Sequence, residues 1–288
     1  MKRRLGFSLV ELLVVISIIA VLAALLFPVF QKAKSSAQAG VCLSNFKQIS
    51  QATLLYTGDN DDGLLPSTYN ADRAADFMND RVWPQIVSSY VGDQRIFKCP
   101  SDFNPNPPAP AIFEPDATGV TSASYEYTIA KRTNFGYNYM YLAPVVPTSL
   151  GLTSLPRTLS EIGNPSGTLL YVDSAQITPE GIPVSGTHLV VPPCRFIRDG
   201  TSSIDSWPSG VPISNPYLAH VPWDVEGNQE KAVTFGGAYP WHDGRMTVVH
   251  IDGSVRSKTP DQLSSGCSVE SDLRGLITSP SSYTWDLR

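Results

Sequence analysis

The sequence predicts an α+β chain, with a long N-terminal helix followed by a body of short strands and long loop insertions. Three observations predict it. Phe7 to Phe30 is apolar apart from Ser8, Glu11 and Ser17, and it passes into a run with helical spacing that ends near Gly58. The body is broken by turns, with 24 Pro and 21 Gly in the 288 residues, a composition that favours short strands over a helical bundle. Near the C-terminus, two β-prone runs flank Asp252-Gly253 in RMTVVHIDGSVRSK, the signal of a hairpin with a two-residue type I′ turn.

The first element is residues 7–30. At about 1.5 Å per residue it spans roughly 36 Å, more than a hydrocarbon core of about 30 Å. Lys2, Arg3 and Arg4 precede it and keep that end cytoplasmic by the positive-inside rule. The body then lies outside the cytoplasm, where disulfides persist. The apolar run is longer than the ~7–15 residues of a secretory signal core. The small residue at its charged border, Gly6, lies before the run, so cleavage there leaves the helix on the mature chain. Glu11 is the misfit, because a carboxylate in hydrocarbon costs on the order of 2.5–3.5 kcal/mol. Pro28, lacking an N–H, is expected to kink the helix or open one turn.

In residues 31–58 the pattern becomes amphipathic. Cys42, Phe46, Ile49, Thr53 and Tyr56 share one helical face, and Lys34, Ser35, Gln38, Ser44 and Gln48 lie opposite. That face suits packing on a sheet. Gly58 and the Asp-rich residues 59–63 form a stop signal. VWPQIVSSYVGDQRIFKCPSD reads as a short helix or turn followed by a strand. The aromatic SYEYTIAKRTNFGYNYMYLAP has strand character, and Thr168–Asp173 reads as a buried strand. Residues 103–122 and 176–236 are Pro- and Gly-rich excursions without strong strand signals.

Charge is unevenly placed. Residues 1–34 carry a net +4 and the remainder a net −9. The acidic body argues against nucleic acid as a partner, since phosphate binding needs clustered Lys and Arg.

Residues 3–11, Arg-Arg-Leu-Gly-Phe-Ser-Leu-Val-Glu, resemble the leader-peptide site of type IV prepilins and type II secretion pseudopilins. The short basic leader, Gly6, Phe7 and Glu11 all fall at the spacing of that site. The resemblance implies cleavage between Gly6 and Phe7 by a prepilin peptidase and N-methylation of Phe7. It also implies a pairing of Glu11 with a neighbouring subunit's N-terminal amine. Two costly buried charges are tolerable when paired; the alternative is a membrane Glu snorkelling to the cytoplasmic interface. Further along, CLSNFKQISQATLLYTGDNDDGLLP, IFKCPSD, NPSGTLLYVDS and HDGRMTVVHIDG resemble a pseudopilin-like group with large C-terminal domains. The last supplies a His-x9-Asp-Gly signature at His242, Asp252 and Gly253. The implied fold is pilin-like: a long helix packed on an antiparallel β-sheet. It divides the chain into a leader at 1–6, a transmembrane and filament-core helix at 7–30, an amphipathic continuation at 31–58 and an extracytoplasmic globular domain at 59–288. The implied partners are the prepilin peptidase, other pilin or pseudopilin subunits, their assembly machinery and inner-membrane lipid.

Other candidate chemistry is sparse. His242, Asp243, His250 and Asp252 can be drawn as a metal site, but the simpler reading has His242 bonding backbone near the hairpin and Asp252 serving the turn. No His-Glu-x-x-His or Cys-x-x-Cys spacing supports zinc. Asp59, Asp61 and Asp62 are weak calcium candidates, since hard cations use closely spaced oxygens, yet the stretch lacks a distal Glu and a helix-ending turn needs no metal. No other cofactor is expected. The absence of a Gly-x-Ser-x-Gly elbow leaves no enzyme motif. Cys42, Cys99, Cys194 and Cys267 allow three connectivities. Cys42–Cys99 with Cys194–Cys267 is the working pairing, and a small buried hydrophobe is the plainer reading of Cys42. The expected function is a structural filament subunit. The alternative is a membrane-anchored binding module, for example one that recognises glycans.

Overall fold

The computed structural model describes residues 8–70, 80–102, 132–148, 151–177, 183–184, 186–197, 235–269 and 275–287. Residues 103–122 and most of 176–236 lie outside them.

Helix α1 (Leu9–Asp59) is 51 residues long, about 77 Å at ~1.5 Å per residue. It runs through Pro28 without ending. A proline removes one N–H and leaves the turns on either side free to keep their own bonds. The helix ends one residue beyond Gly58. Asn60 donates its N–H to the Thr57 carbonyl, as does Asp62, and Asp61 and Asp62 take left-handed φ of 51° and 59°. Asp tolerates that region better than most side chains, which is how an Asp-rich stretch reverses the chain here.

Beyond α1, β1 (Thr68–Asn70) pairs with β2 (Asp80–Val82), and α2 (Trp83–Val87) follows. Ser88–Tyr90 and Gln94–Phe97 are 3-10 turns. The strand expected in the later part of VWPQIVSSYVGDQRIFKCPSD is therefore replaced by a turn and loop. Asp93 caps it by accepting from the Arg95 N–H at 2.9 Å, a local bond that competes with strand pairing. β3 (Phe135–Tyr137) leads into a helical turn at Tyr139–Leu142 and a hairpin of β4 (Val145–Thr148) and β5 (Gly151–Ser154). β6 (Leu169–Asp173) precedes the short pair β7 (Gln176–Ile177) and β8 (Pro183–Val184). β9 (Cys194–Ile197), β10 (Met246–His250), β11 (Val255–Lys258), β12 (Cys267–Ser268) and β13 (Gly275–Ile277) complete the order.

The central sheet has the order β11-β10-β6-β3, and each of its pairs is antiparallel. With the helix ahead of it, the architecture is α+β and pilin-like. Every residue of β6 and β10 is buried, so the middle of this sheet is covered on both faces, while the edge strand β11 is partly exposed. A second sheet, β12-β13-β9, has β13 parallel to β9.

Strand alternation decides what faces α1. Phe135 pairs with Asp173 and Tyr137 with Tyr171, and residues two apart on a strand share a face. The buried helix positions Cys42, Phe46, Ile49 and Thr53 meet that face. The Phe46 and Phe135 rings lie 4.2 Å apart, and the Thr53 and Tyr171 hydroxyls are hydrogen-bonded at 2.8 Å. The Trp83 ring lies 4.7 Å from that of Tyr171, tilted by 37°, closing the aromatic part of the core. The sequence placed this helical face correctly, although Tyr56 sits at its edge, half-buried.

The hairpin differs from the expected two-residue turn. Gly253 donates to the His250 carbonyl at 2.9 Å and His250 donates to the Ser254 carbonyl at 3.0 Å. The loop is thus three residues, and only Gly253 has positive φ, at 77°. A type I turn closed by a left-handed Gly needs one such residue; a type I′ turn needs two. A Cβ on Gly253 would also meet Ser50 Oγ at 3.3 Å and Leu54 Cδ1 at 3.4 Å. Lys47 donates its ammonium to the Gly253 carbonyl at 2.8 Å, so the turn is docked against α1.

Candidate functional site

The first half of α1 stands clear of the body. Among its large apolar side chains from Leu9 to Phe30, exposure runs from 46% at Val15 to 79% at Leu9. It is long and apolar enough to cross a membrane, and its exposure separates it from the buried core helix of a soluble domain. Leu9 to Phe30 rises about 33 Å, against about 30 Å of hydrocarbon. The second half of the same helix is the part buried against the sheet.

At the helix start, Ser8 and Glu11 cap one another. The Ser8 N–H donates to Glu11 Oε2 at 2.8 Å, and the Glu11 N–H donates to Ser8 Oγ at 3.2 Å. This is a capping box, which satisfies two of the donors that a helix start leaves free. Glu11 therefore has a partner within its own chain. The signal was in the sequence as Ser-x-x-Glu before an apolar run, and Ser8 is the residue that sequence reasoning passed over. Gly6 and Phe7 lie outside the described residues.

Residues 1–27 match the family model of the prokaryotic N-terminal methylation motif. That methylation motif spans Gly6, Phe7 and Glu11 and ends within α1. It is consistent with a type IV prepilin or pseudopilin precursor, for which processing by a prepilin peptidase and assembly with other pilin subunits follow. Together with the free apolar helix, it is consistent with inner-membrane anchoring. No curated protein and no solved structure matches the chain, and the match does not extend to the His242, Asp252 and Gly253 stretch.

Those three residues part company in the structure. Asp252 and Gly253 form the hairpin turn, with Asp252 Oδ1 accepting from the Ser254 N–H at 2.8 Å. His242 exchanges backbone hydrogen bonds with Arg245, at 3.2 and 2.9 Å. Its ring points elsewhere: Nε2 lies 3.6 Å from Cys99 Sγ and 3.6 Å from Asp173 Oδ2, and Nδ1 lies 3.3 Å from Ser101 Oγ. His250, buried at the end of β10, lies 3.4 Å through Nδ1 from Ser254 Oγ and takes no part in this group.

Cys42 completes it. Its Sγ donates to Asp173 Oδ1 at 3.4 Å. Asp173, at the end of β6 and fully buried, also accepts from the Thr247 N–H through Oδ2. Burial, with Cys99 beside it, raises its carboxyl to about 7, against the pull of His242. The closeness of the two thiols lowers Cys99 and raises Cys42. For His242, burial opposes the charge, but Cys99 and Asp173 outweigh it and hold the imidazole above its usual value.

The expected Cys42–Cys99 bridge is thus not formed: both are free, buried thiols, each directed to a different polar partner. Cys194 and Cys267 are joined by a disulfide, linking β9 to β12 across β13. Among the calcium candidates, Asp59 accepts from the Tyr90 hydroxyl at 3.2 Å, and Asp61 and Asp62 form the exposed turn. Among the described residues, the gathered ligand-type side chains are Cys42, Cys99, Asp173 and His242, and no such group forms around the three Asp.

Proposed function

We propose that the chain is a structural subunit of a type IV pilus or type II secretion pseudopilus. It is held in the inner membrane with its N-terminus cytoplasmic and its body outside. Prepilin peptidase cleaves after Gly6, Phe7 is N-methylated, and subunits assemble through α1. The observation that carries this reading is that one unbroken helix begins at the methylation motif, leaves its apolar first half bare and buries its second half in the body. Bare apolar surface of that length demands cover, either lipid or the same surface of other copies. Anchor and filament core are then one segment used twice.

Glu11 gives the packing its register. Cleavage creates a positive amine at Phe7, and the carboxylate of one subunit receives the amine of its neighbour. Each group is costly alone in an apolar setting and tolerable as a pair. The reading assigns no catalytic residue.

Mass spectrometry of the mature N-terminus, on protein from its native cell, tests this. N-methylated Phe7 is the expected result. Met1 in cells with an active prepilin peptidase would reduce α1 to a plain anchor and overturn the assembly role.

A further inference from the structure

Four donor atoms from distant parts of the chain meet beneath α1. Cys42 Sγ comes from the helix, Cys99 Sγ from the loop after the Gln94–Phe97 turn, a carboxylate oxygen from Asp173 on β6, and a ring nitrogen from His242 ahead of β10. All lie within 4.8 Å of one another, and all four residues are buried. The measured edges are 3.4 Å from Cys42 Sγ to Asp173 Oδ1, 3.6 Å from Cys99 Sγ to His242 Nε2 and 3.6 Å from that nitrogen to Asp173 Oδ2. In a tetrahedral zinc shell, with bonds of about 2.0–2.3 Å, neighbouring donors stand roughly 3.3–3.8 Å apart. These three edges fall within that range, two of them through different oxygens of Asp173.

We propose that Cys42, Cys99, Asp173 and His242 form a closed structural zinc site. Two thiolates, an imidazole and a carboxylate suit zinc, and four protein ligands leave no open position for catalysis. The inference rests on the body alone and stands independently of the filament reading.

Three features of the surroundings support it. Asp173 is fully buried, and among the described residues its ion-pair partner is His242. Among the described residues no Lys or Arg forms an ion pair with it, and a buried carboxylate whose counter-charge is one histidine is expensive despite its hydrogen bonds from Thr247 and Cys42. A divalent cation supplies the missing charge. The His242 ring is already oriented as a ligand: Nδ1 faces Ser101 Oγ, which leaves Nε2 toward the cluster, and such an outer contact is what metal-bound imidazoles use. Finally, Cys42 and Cys99 are both free and buried, so each has a sulfur available to a metal. On binding, Zn2+ displaces the protons of both thiols and the proton shared by Asp173 and His242, all released to solvent. Nothing is oxidised or reduced.

The bound ion would join the stalk helix, the Cys99 loop, the central sheet and the turn before β10 at one point. A Cys42–Cys99 disulfide uses up two of the four ligands, so the two states exclude one another.

The test uses the full-length chain, taken from membranes into detergent without chelator. Elemental analysis is expected to give one zinc per chain, with Cys42 and Cys99 protected from alkylation until a strong chelator is added. Replacement by cobalt(II) is expected to produce thiolate-to-cobalt charge-transfer bands, which the paired change Cys42→Ser and Cys99→Ser abolishes. Ser101→Ala keeps all four ligands and is expected to weaken zinc about 10- to 100-fold by freeing the ring. It serves where a ligand variant fails to fold. Substoichiometric zinc after zinc supply overturns the proposal. So does a mapped Cys42–Cys99 disulfide in the folded chain, or cobalt bound without charge-transfer bands.

Discussion

Replacing Phe46 by Ala attacks the joint between stalk and body. Phe46 is fully buried, and its ring meets Phe135 of β3 at a centroid distance of 4.2 Å. Its neighbours on the buried face, Cys42, Asn45 and Ile49, are held by the helix and cannot all close into the space. A buried Phe→Ala change costs about 3–5 kcal/mol when the site collapses poorly, and part of that is the aromatic pair, worth roughly 0.5–1.5 kcal/mol. Leu55 on the same helix is 61% exposed, so Leu55→Ala should stay within about 0.5 kcal/mol. The assay is urea unfolding of the full-length chain in detergent, followed by the fluorescence of buried Trp83 and Trp285. With a denaturant slope of about 2–3 kcal/mol per M, the Phe46→Ala midpoint falls by roughly 1–2.5 M. A midpoint no lower than that of Leu55→Ala would refute the packing of α1 on the sheet.

Three further outcomes are expected. Glu11→Ala is inserted and processed but assembles poorly; normal filament or secretion phenotypes count against the register role. Gly6→Val leaves the leader attached by occluding the peptidase site, read as an unshifted mass of the membrane protein; normal processing would remove Gly6 from the site. Burial, with the charges of Lys258 and Arg256, pushes His250 down to about 4, below the unfolded value of about 6.5. The unfolded chain then binds the additional proton, so stability present above that window is lost as pH falls from about 6.5 towards 4. His250→Gln should flatten the pH dependence of the unfolding midpoint there, and an unchanged slope would reject the assignment.

Much of the fold was legible because its signals are local. The apolar run and the Cys42, Phe46, Ile49, Thr53 spacing define α1 and its buried face within a single element. The buried strand at 168–173 came within one residue of β6. The hairpin was found, but Asp252-Gly253 alone cannot say whether Ile251 joins the loop. That depends on the docking of Gly253 against Ser50 and Leu54, contacts between distant parts of the chain. The strand expected late in VWPQIVSSYVGDQRIFKCPSD failed because the Asp93 cap favours a turn. The buried cluster was illegible for a stronger reason. Its residues sit singly between positions 42 and 242 and are assembled by strand register, so no spacing rule reaches them. Yet each of the four stretches singled out beyond the leader, beginning at Cys42, Ile96, Asn164 and His242, delivers one side chain to it.

The capping box at the start of α1 has a bearing on how assembly could be undone. In the isolated chain, Glu11 already accepts from the Ser8 N–H. If a neighbour's amine takes that carboxylate in a filament, the Glu11–Ser8 bond is traded for it, and the net gain is the difference between two partners. Such a swap leaves every state of the helix start with a satisfied carboxylate, in lipid or in the fibre. A subunit leaving the filament falls back on its own cap and need not strand a bare charge in hydrocarbon. Joining and leaving therefore run over a shallow electrostatic step, and the direction of traffic is set by whatever drives the apolar helices together or apart.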